Sequence, residues 1–342
     1  MGAVATSEQA AGAWTGDVVL RVVDLVKHFP IRRGLIQSLR GGPVPAVRAV
    51  DGISFDVRKG EIFGVVGESG CGKTTMGRTI LRLIEPQSGH IFFEGRDLLA
   101  LPSNEMKRLR RKMQIVFQDP YESMNPRLNV YRIISEPLRI QGVVKDGHEA
   151  VDLVSQALVD VEMTPPEEYI YRYPHELSGG QRQRIAVARA LVLNPDFIVA
   201  DEPVSMLDVS IRGEILNLML RLAKEKGVTF VYITHDLATA RHICDRIGVM
   251  YLGKMVEEGN TEDIVKFPLH PYTRALLNAV LIPDPSKRGL QSVMAGEVPN
   301  PVNPPSGCRL HPRCPVMKGI CREKEPEIIE REGGHKVACH FA

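Results

Sequence analysis

The sequence predicts an α/β fold with a parallel sheet core and a helical insertion, on three observations. Apolar runs at 61–66, 197–200 and 228–233 have the length and composition of buried strands. Helical spacing dominates from about 130 to 193, between the first and second of these runs. A glycine-rich loop follows the first run and leads into a helix predicted over 73–84. Alternating strands and helices indicate an α/β core, and the long helical interruption indicates a helical subdomain.

The other elements follow from hydrophobic periodicity. Alternation predicts strands over 18–29 and 46–57, and a short apolar segment predicts one over 113–118. Between the last two buried runs, apolar residues recur at helical spacing, namely Ile211, Ile215, Leu218 and Leu222. Proline density rises from about 282, which marks a boundary before a cysteine-rich end. The predicted regions are a disordered tail (1–17), a main domain (18–281) with a helical subdomain at about 120–182, and a proline-rich linker with a cysteine-rich C-terminal domain (282–342).

Size and charge are those of an ordinary soluble protein. The 342 residues fit one large domain plus an appendage. A net charge of +2 is too small to predict nucleic-acid binding from bulk charge. No apolar run approaches the roughly 20 residues of a membrane-spanning helix, and the first residues lack the pattern of a secretory signal. We expect a cytosolic chain whose membrane role comes through partners.

A phosphate-binding loop is predicted where the strand at 61–66 ends. The segment GESGCGKT over 67–74 has the spacing GxxxxGK[ST]. Small residues let backbone N–H groups point at phosphate oxygens, and the following helix adds its positive N-terminal end. We predict that Lys73 bridges the β- and γ-phosphates and that Thr74 binds Mg²⁺. The predicted ATP-contacting residues of this loop are Gly67, Ser69, Gly70, Cys71, Gly72, Lys73, Thr74 and Thr75.

Two adjacent acids end the apolar strand at 197–200. Asp201 is the expected Mg²⁺ partner, directly or through water. Glu202 is the natural general base, or water-orienting group, for attack on the γ-phosphate.

A second anion site is predicted before the last helix of the helical stretch. Ser178, Gly179, Gly180 and Gln181 combine a hydroxyl and small residues with a helix N-terminus. One γ-phosphate cannot be held at full strength by two such sites of the same fold. We therefore expect this site to serve the ATP of a partner subunit.

The order of these motifs resembles that of the ABC (ATP-binding cassette) ATPases, over nearly the whole chain from residue 18. Residues 177–181 read LSGGQ, the signature pentapeptide of that family. The resemblance implies a P-loop ABC fold with a RecA-like core, an antiparallel β subdomain and a helical subdomain. It also implies a dimer in which the pentapeptide of one subunit closes over ATP held by the other.

Four further residues match the family by position. Gln118 resembles the Q-loop glutamine that reaches Mg²⁺ and the attacking water, and His235 resembles the switch histidine at the γ-phosphate. Asp208 resembles the D-loop aspartate at the dimer seam. Phe29 matches the aromatic that stacks on adenine, with a role in the core as its alternative. Glu202, His235 and Gln118 are thus the predicted catalytic residues, and Thr74, Gln118 and Asp201 the predicted Mg²⁺ ligands.

The C-terminal third resembles a narrower group, the ATPase subunits of oligopeptide/dipeptide-type ABC importers. The resemblance rests on HPYTRALL at 270–277, GEVP at 296–299 and the NPPSGC and HPRCP segments within 303–315. The run GRTILRLIEPQSG after the loop is closest to the F-type subunit. The implied partners are a D-type ATPase subunit in a heterodimer, two membrane permeases and an extracytoplasmic binding protein, at the cytoplasmic face of the inner membrane. Oligosaccharide and nickel are alternative cargoes.

Four of the six cysteines lie in the last 35 residues: Cys308, Cys314, Cys321 and Cys339. In a reducing cytosol such a cluster favours a metal over disulfides. Their spacing matches neither a CxxC zinc pattern nor ferredoxin spacing. The resemblance implies a [4Fe–4S] cluster; zinc and no metal are the alternatives.

The segment DPYESMNPRLN at 119–129 lies where this family grips the permease. Tyr121, Met124 and Pro126 are therefore candidate contacts, with an ordinary exposed turn as the alternative.

The rival functions are a soluble LSGGQ ATPase acting on nucleic acid or ribosomes, and an exporter half. Only about 105 residues separate Lys73 from Ser178, which leaves no room for long coiled coils, and a single cassette is present. We expect no nucleic-acid partner.

Overall fold

The computed structural model describes residues 16–31, 44–144, 147–279, 294 and 296–342. The strands, in chain order, are β1 (Val18–Pro30), β2 (Ala46–Arg58), β3 (Ile62–Val66), β4 (Ser88–Phe93), β5 (Arg96–Asp97), β6 (Met113–Val116), β7 (Phe197–Asp201), β8 (Thr229–Thr234), β9 (Arg246–Tyr251), β10 (Lys254–Asn260), β11 (Ile329–Glu330) and β12 (Lys336–Val337). The α-helices are α1 (Lys73–Ile80), α2 (Ser103–Leu109), α3 (Pro120–Ser123), α4 (Val130–Ile140), α5 (Gly147–Asp160), α6 (Gly179–Leu191), α7 (Val209–Lys226), α8 (Leu237–Ile243), α9 (Thr261–Lys266), α10 (Pro271–Ala279) and α11 (Ile320–Glu323).

The chain divides into two units. The P-loop unit comprises the described parts of 1–57, 63–99 and 234–342, and the signature unit comprises 58–62 and the described parts of 100–233. Most of the predicted tail (1–15) and of the predicted linker (282–293) lies outside the described residues, so both remain predictions, as do the predicted domain boundaries.

The P-loop unit contains strands of two sheets. One has the order β2-β1-β4-β5, in which β4 pairs antiparallel with both β1 and β5. In the other, β3 lies parallel to β9, and β10 and β12 continue the sheet antiparallel. Every residue of β3 and β9 is buried, as expected of strands covered on both faces. The end of β3 therefore delivers the glycine-rich loop from a rigid core strand.

The C-terminal region belongs to this unit through its pairing with β10. Glu257 faces Val337 in the register of β10 and β12, and Ala338 N donates to the carbonyl oxygen of Val256 at 2.9 Å. The buried carboxylate of Glu257 accepts bonds from the backbone N–H of Leu269 at 2.7 Å and lies 2.7 Å from His335 Nε2. Backbone pairing and a buried side-chain hydrogen bond thus fix the end of the chain to the sheet.

In the signature unit, β6, β7 and β8 are parallel, with Phe197 opposite Met113 on one side and Thr229 on the other. The amphipathic helix α4 and its neighbours α5 and α6 form the helical part, with Ile133, Ile134 and Leu138 of α4 buried. The α/β core and the helical part agree with the predicted fold class.

Two predicted elements end earlier than the sequence suggested. Helix α1 ends at Ile80, not at residue 84, because Arg82 adopts a left-handed conformation with φ 49°. Strand β6 ends at Val116, the last residue paired with β7, so Gln118 follows the strand and does not end it. Asp119 then begins α3 by accepting the backbone N–H of Tyr121 at 2.7 Å.

Candidate functional site: the P-loop and the signature

The P-loop joins β3 to α1, and the side chain of its lysine donates hydrogen bonds to the backbone of the loop. Lys73 is 4% exposed, and its Nζ donates to the carbonyl oxygens of Gly67 at 2.7 Å and Glu68 at 3.0 Å. The backbone N–H of Glu68 donates to the hydroxyl of Tyr272 at 2.8 Å, and Gly253 N donates to the carbonyl of Cys71 at 2.9 Å. These bonds fix the backbone whose N–H groups the sequence predicts to bind phosphate.

Gly72 has no substitute at the start of α1. Its φ is 108°, in the left-handed region, and a Cβ there would lie 1.8 Å from the carbonyl oxygen of Ala49. Its own carbonyl accepts the N–H of Met76 at 2.9 Å and so begins the helix. The close approach of β2 therefore dictates the second glycine of the motif.

The remaining loop residues differ in exposure. Ser69 and Gly70 are exposed, Thr74 and Thr75 are half-buried, and Gly67 is buried. Cys71 is 4% exposed, and burial raises the pKa of its thiol even though Lys73 acts in the opposite direction. A buried, protonated thiol is a small loop residue and not a nucleophile.

The two predicted acids, one ending β7 and the other directly after it, lie in different settings. Asp201 is 2% exposed, whereas Glu202 is half-buried and has φ 45°, a left-handed conformation that is rare for a residue with a side chain. The Glu202 backbone is held by its N–H, which donates to the carbonyl of Ile233 at 2.9 Å, and by its carbonyl, which accepts Ser205 Oγ at 3.0 Å. Strained residues of this kind concentrate at functional sites.

Gln118 and Glu202, two predicted catalytic residues 84 positions apart, meet in the signature unit. Gln118 Nε2 donates to Glu202 Oε2 at 3.0 Å. The amide group of Gln118 thus orients the Glu202 carboxylate. Ser205 Oγ lies 3.5 Å from the same amide nitrogen, a contact between residues 87 positions apart that no sequence motif indicates.

The signature pentapeptide forms a helix N-cap. Ser178 Oγ accepts the N–H of Gln181 at 3.2 Å, and Gln181 Oε1 accepts the N–H of Ser178 at 3.0 Å, which is a capping box. Ser178 is exposed and keeps its hydroxyl proton for donation. Gly180 is buried against Ile211 of α7, and a Cβ at Gly180 would lie only 2.6 Å from Cγ2 of Ile211, so a side chain does not fit there.

The residues assigned by position lie at element ends. His235 is exposed directly after β8, before Asp236, which accepts the N–H of Ala238 at 2.9 Å to cap α8. Phe29 is 38% exposed near the end of β1, with Lys27 Nζ 5.2 Å from its ring centroid, which disfavours the core alternative. Asp208 precedes α7 and is exposed.

The segment at 119–129 offers fewer surface contacts than the sequence suggested. Tyr121 is 62% exposed and Pro126 is exposed, but Met124 is 4% exposed because it packs into the signature unit. The Arg182 guanidinium lies 4.0 Å above the Tyr121 ring, so this segment touches the helix that follows the signature.

Cys308, Cys314, Cys321 and Cys339 line one small cavity of the P-loop unit, beside His270, His311 and His340. All four thiols are free. Burial raises the pKa of Cys308 to about 11, and the neighbouring cysteines add to the shift. Burial lowers the pKa of His270 to about 3, so this histidine is neutral. Within the described ranges, no three His, Cys, Asp or Glu side chains are placed to hold a single metal ion.

Comparisons with known proteins agree with the site. The ABC transporter family model matches residues 50–205, and the model for the oligopeptide/dipeptide transporter C-terminal region matches residues 256–321. Oligopeptide transport ATP-binding protein AppF of Bacillus subtilis is 49% identical over 95% of this chain and 98% of its own length. The chain belongs to the ABC transporter ATP-binding subunits. It is therefore an ATPase that uses ATP with Mg²⁺.

Two further relatives support this ABC subunit assignment. Putative oligopeptide transport ATP-binding protein YkfD of Bacillus subtilis is 50% identical over 94% of this chain and 95% of its own length. The solved dimeric structure of the ATP-binding cassette MJ0796 with ADP and Pi is 28% identical, with a TM-score of 0.61, and covers 71% of this chain and 98% of that one. None of the helices in the described ranges of this ABC subunit has the length and hydropathy that a bilayer crossing requires.

Proposed function

We propose that this ABC subunit hydrolyses ATP to drive import of oligopeptides or dipeptides through membrane permeases. The observation that carries the ATPase part is the carboxylate of Glu202, which a left-handed backbone and the amide of Gln118 hold in place. The peptide cargo is supported by the names of relatives that are 49% and 50% identical. Oligosaccharide or nickel cargo and action on nucleic acid find no such support.

Each predicted residue has a role in this proposal. Lys73 binds the β- and γ-phosphates with the P-loop backbone of Gly67, Ser69, Gly70, Cys71 and Gly72, while Phe29 stacks on adenine and Thr75 contacts phosphate. Thr74, Asp201 and Gln118 would hold Mg²⁺, because their hydroxyl, carboxylate and amide oxygens are the donors this ion prefers. The bound ion would neutralise phosphate charge. Glu202 takes the proton of the attacking water, and His235 contacts the γ-phosphate.

The signature serves ATP that a second subunit binds. Ser178 is exposed, and Met206 and Val209, on either side of Asp208, are 65% and 82% exposed. Large apolar side chains at this exposure beside a predicted dimer seam fit a surface that a partner covers. The dimeric form of the solved MJ0796 cassette supports the same arrangement. We take the partner to be a D-type subunit in a heterodimer at the cytoplasmic face of the inner membrane, together with two permeases and an extracytoplasmic binding protein.

Permease binding is tested at Tyr121. The Tyr121→Ala variant should recover roughly tenfold less permease when the tagged full chain is purified from detergent-solubilised membranes, because exposed aromatic residues are frequent hot spots of interfaces. Tyr171→Ala is the matched control, since Tyr171 is another exposed tyrosine of the same unit, at 71%. Recovery of the wild-type chain with ribosomes or DNA, without permeases, would contradict the proposed function.

The cysteine cavity is proposed to hold a [4Fe–4S] cluster. Four free thiols at one cavity supply the Cys₄ set such clusters use. Burial opposes thiolate formation at Cys308, and a bound cationic centre compensates for it. A bound cluster would hold together the segments that contain Cys308, Cys314, Cys321 and Cys339. Zinc is the less favoured alternative, because the family resemblance implies an iron–sulfur cluster and the cysteines lack the CxxC spacing of common zinc sites.

Anaerobically purified chain should be brown and contain about four iron and four sulfide per chain. The Cys321→Ala variant should lose most of the iron, because it removes one thiolate ligand. Cys244→Ala is the control: Cys244 is equally buried, at 7%, but lies at the end of α8 and does not line the cavity. Colourless protein with stoichiometric zinc, or with no metal, would refute the cluster.

A further inference from the structure

The C-terminal region reaches the P-loop through one arginine. Arg313 Nη1 donates to Glu68 Oε2 at 2.9 Å, and Arg313 Nη2 donates to Glu68 Oε1 at 3.2 Å. The two side chains are 8% and 29% exposed. A bidentate guanidinium–carboxylate pair at this burial is a strong and directional contact. It joins residues 245 positions apart, both within the P-loop unit.

Glu68 connects this pair to the phosphate-binding part of the loop. Its backbone N–H donates to the hydroxyl of Tyr272, and its carbonyl accepts Lys73 Nζ at 3.0 Å. The side chain, the N–H and the carbonyl of Glu68 are therefore each fixed by a different partner. Arg313 supplies the only positive side chain that the described contacts of the Glu68 carboxylate include.

A second tail arginine secures the other side of the loop. Arg309 donates to the carboxylate of Asp51 and to the carbonyl of Leu252. The next residue, Gly253, donates its N–H to the carbonyl of Cys71 in the P-loop at 2.9 Å. The segment around Cys308 and Cys314 thus contacts the P-loop directly and also the turn that supports it.

We propose that Arg313 is a positioning residue for ATP binding, through which the cysteine-rich region holds and neutralises Glu68 of the P-loop. This inference rests on the proposed function only in taking the loop to bind the phosphates of ATP. Without Arg313, a carboxylate five positions before Lys73 carries an unbalanced negative charge. That charge repels the triphosphate and competes for the Lys73 ammonium.

The test is the affinity of the full chain for ATP with Mg²⁺, measured by calorimetry. Arg313→Met keeps the aliphatic bulk and should weaken ATP binding roughly tenfold, the loss expected on removal of one charge-assisted pair. Arg313→Lys, which keeps the charge but not the bidentate geometry, should restore part of the affinity. In the Glu68→Gln background, Arg313→Met should change affinity by less than about twofold, because no carboxylate remains to neutralise. In the ATPase assay KM for ATP should rise while kcat changes little.

Glu325→Gln is the matched control. It breaks another ion pair that the C-terminal region makes within the P-loop unit, that of Glu325 to Lys254 of β10 at 2.8 Å, and should leave ATP affinity unchanged. Wild-type ATP affinity of the Arg313→Met chain would overturn the inference. So would an equal loss of ATP affinity with Glu68 and with Glu68→Gln, because the arginine would then act only by anchoring the C-terminal region. Lys73→Ala separates the two proposals. If Lys73→Ala loses ATP affinity and Arg313→Met does not, this inference alone is refuted. If Lys73→Ala keeps its ATP affinity, the assignment of the P-loop is refuted.

Discussion

The Glu202→Gln variant should lose ATP hydrolysis by roughly a hundredfold or more and still bind ATP, because glutamine cannot accept a proton from the attacking water. The amide keeps the shape of the side chain and can still contact Gln118, which lies 3.0 Å from the carboxylate. ATP should therefore accumulate unhydrolysed and hold the dimer closed. Single-turnover hydrolysis and size-exclusion chromatography with ATP measure the two effects.

Glu225→Gln is the control for Glu202, since it makes the same change at an exposed glutamate of the same unit, on α7. It should leave hydrolysis and dimerisation unchanged. Hydrolysis by Glu202→Gln at the wild-type rate would show that Glu202 is not the base.

The Ser178→Arg variant should separate ATP binding from hydrolysis. The isolated chain should bind ATP with wild-type affinity, because Lys73 and the rest of its P-loop are intact. Hydrolysis by the assembled transporter should fall by roughly a hundredfold or more at the partner's ATP, the loss typical of a missing transition-state donor. Calorimetry on the chain and steady-state ATPase assays on the transporter measure these two quantities.

Ser103→Arg is the control for Ser178. Ser103 is also exposed and lies at the start of a helix, α2, of the signature unit. Loss of the Ser178 cap alone should cost about 1 kcal/mol of stability, which a thermal unfolding measurement detects separately. If Ser178→Arg weakened ATP binding by the isolated chain as much as it slowed hydrolysis, the signature would serve its own subunit and the proposal would be wrong.

The strand pattern and motif order determined much of the fold in advance. The apolar runs at 61–66, 197–200 and 228–233 correspond to β3, β7 and β8, because fully buried parallel strands need continuous apolar sequence. The ends of elements were less accurate: α1 stops four residues early, at the left-handed turn around Arg82. Element ends depend on local turns and caps that hydrophobic periodicity does not report.

The sequence predicted which residues form the candidate site, but not which of them contact one another. Sequence order pointed to Gln118 and Glu202 separately, and only the fold places the amide 3.0 Å from the carboxylate. The segment at 119–129 predicts Met124 as a surface contact, and this is wrong: its side chain is 4% exposed, since a short turn can direct an apolar residue inward. Phe29 shows the opposite case, an aromatic at a strand end that remains 38% exposed.

By itself the sequence determined the family, the reaction and the residue types at each motif, because binding phosphate, Mg²⁺ and water demands specific groups at fixed local spacing. The tertiary structure decided which distant groups support the motifs. Arg313 and Glu68 are 245 positions apart, and no spacing rule connects them. The fold brings them together in the unit in which β12 pairs with β10 and Arg313 contacts the P-loop. Burial there makes one guanidinium the natural counter-charge for the loop carboxylate.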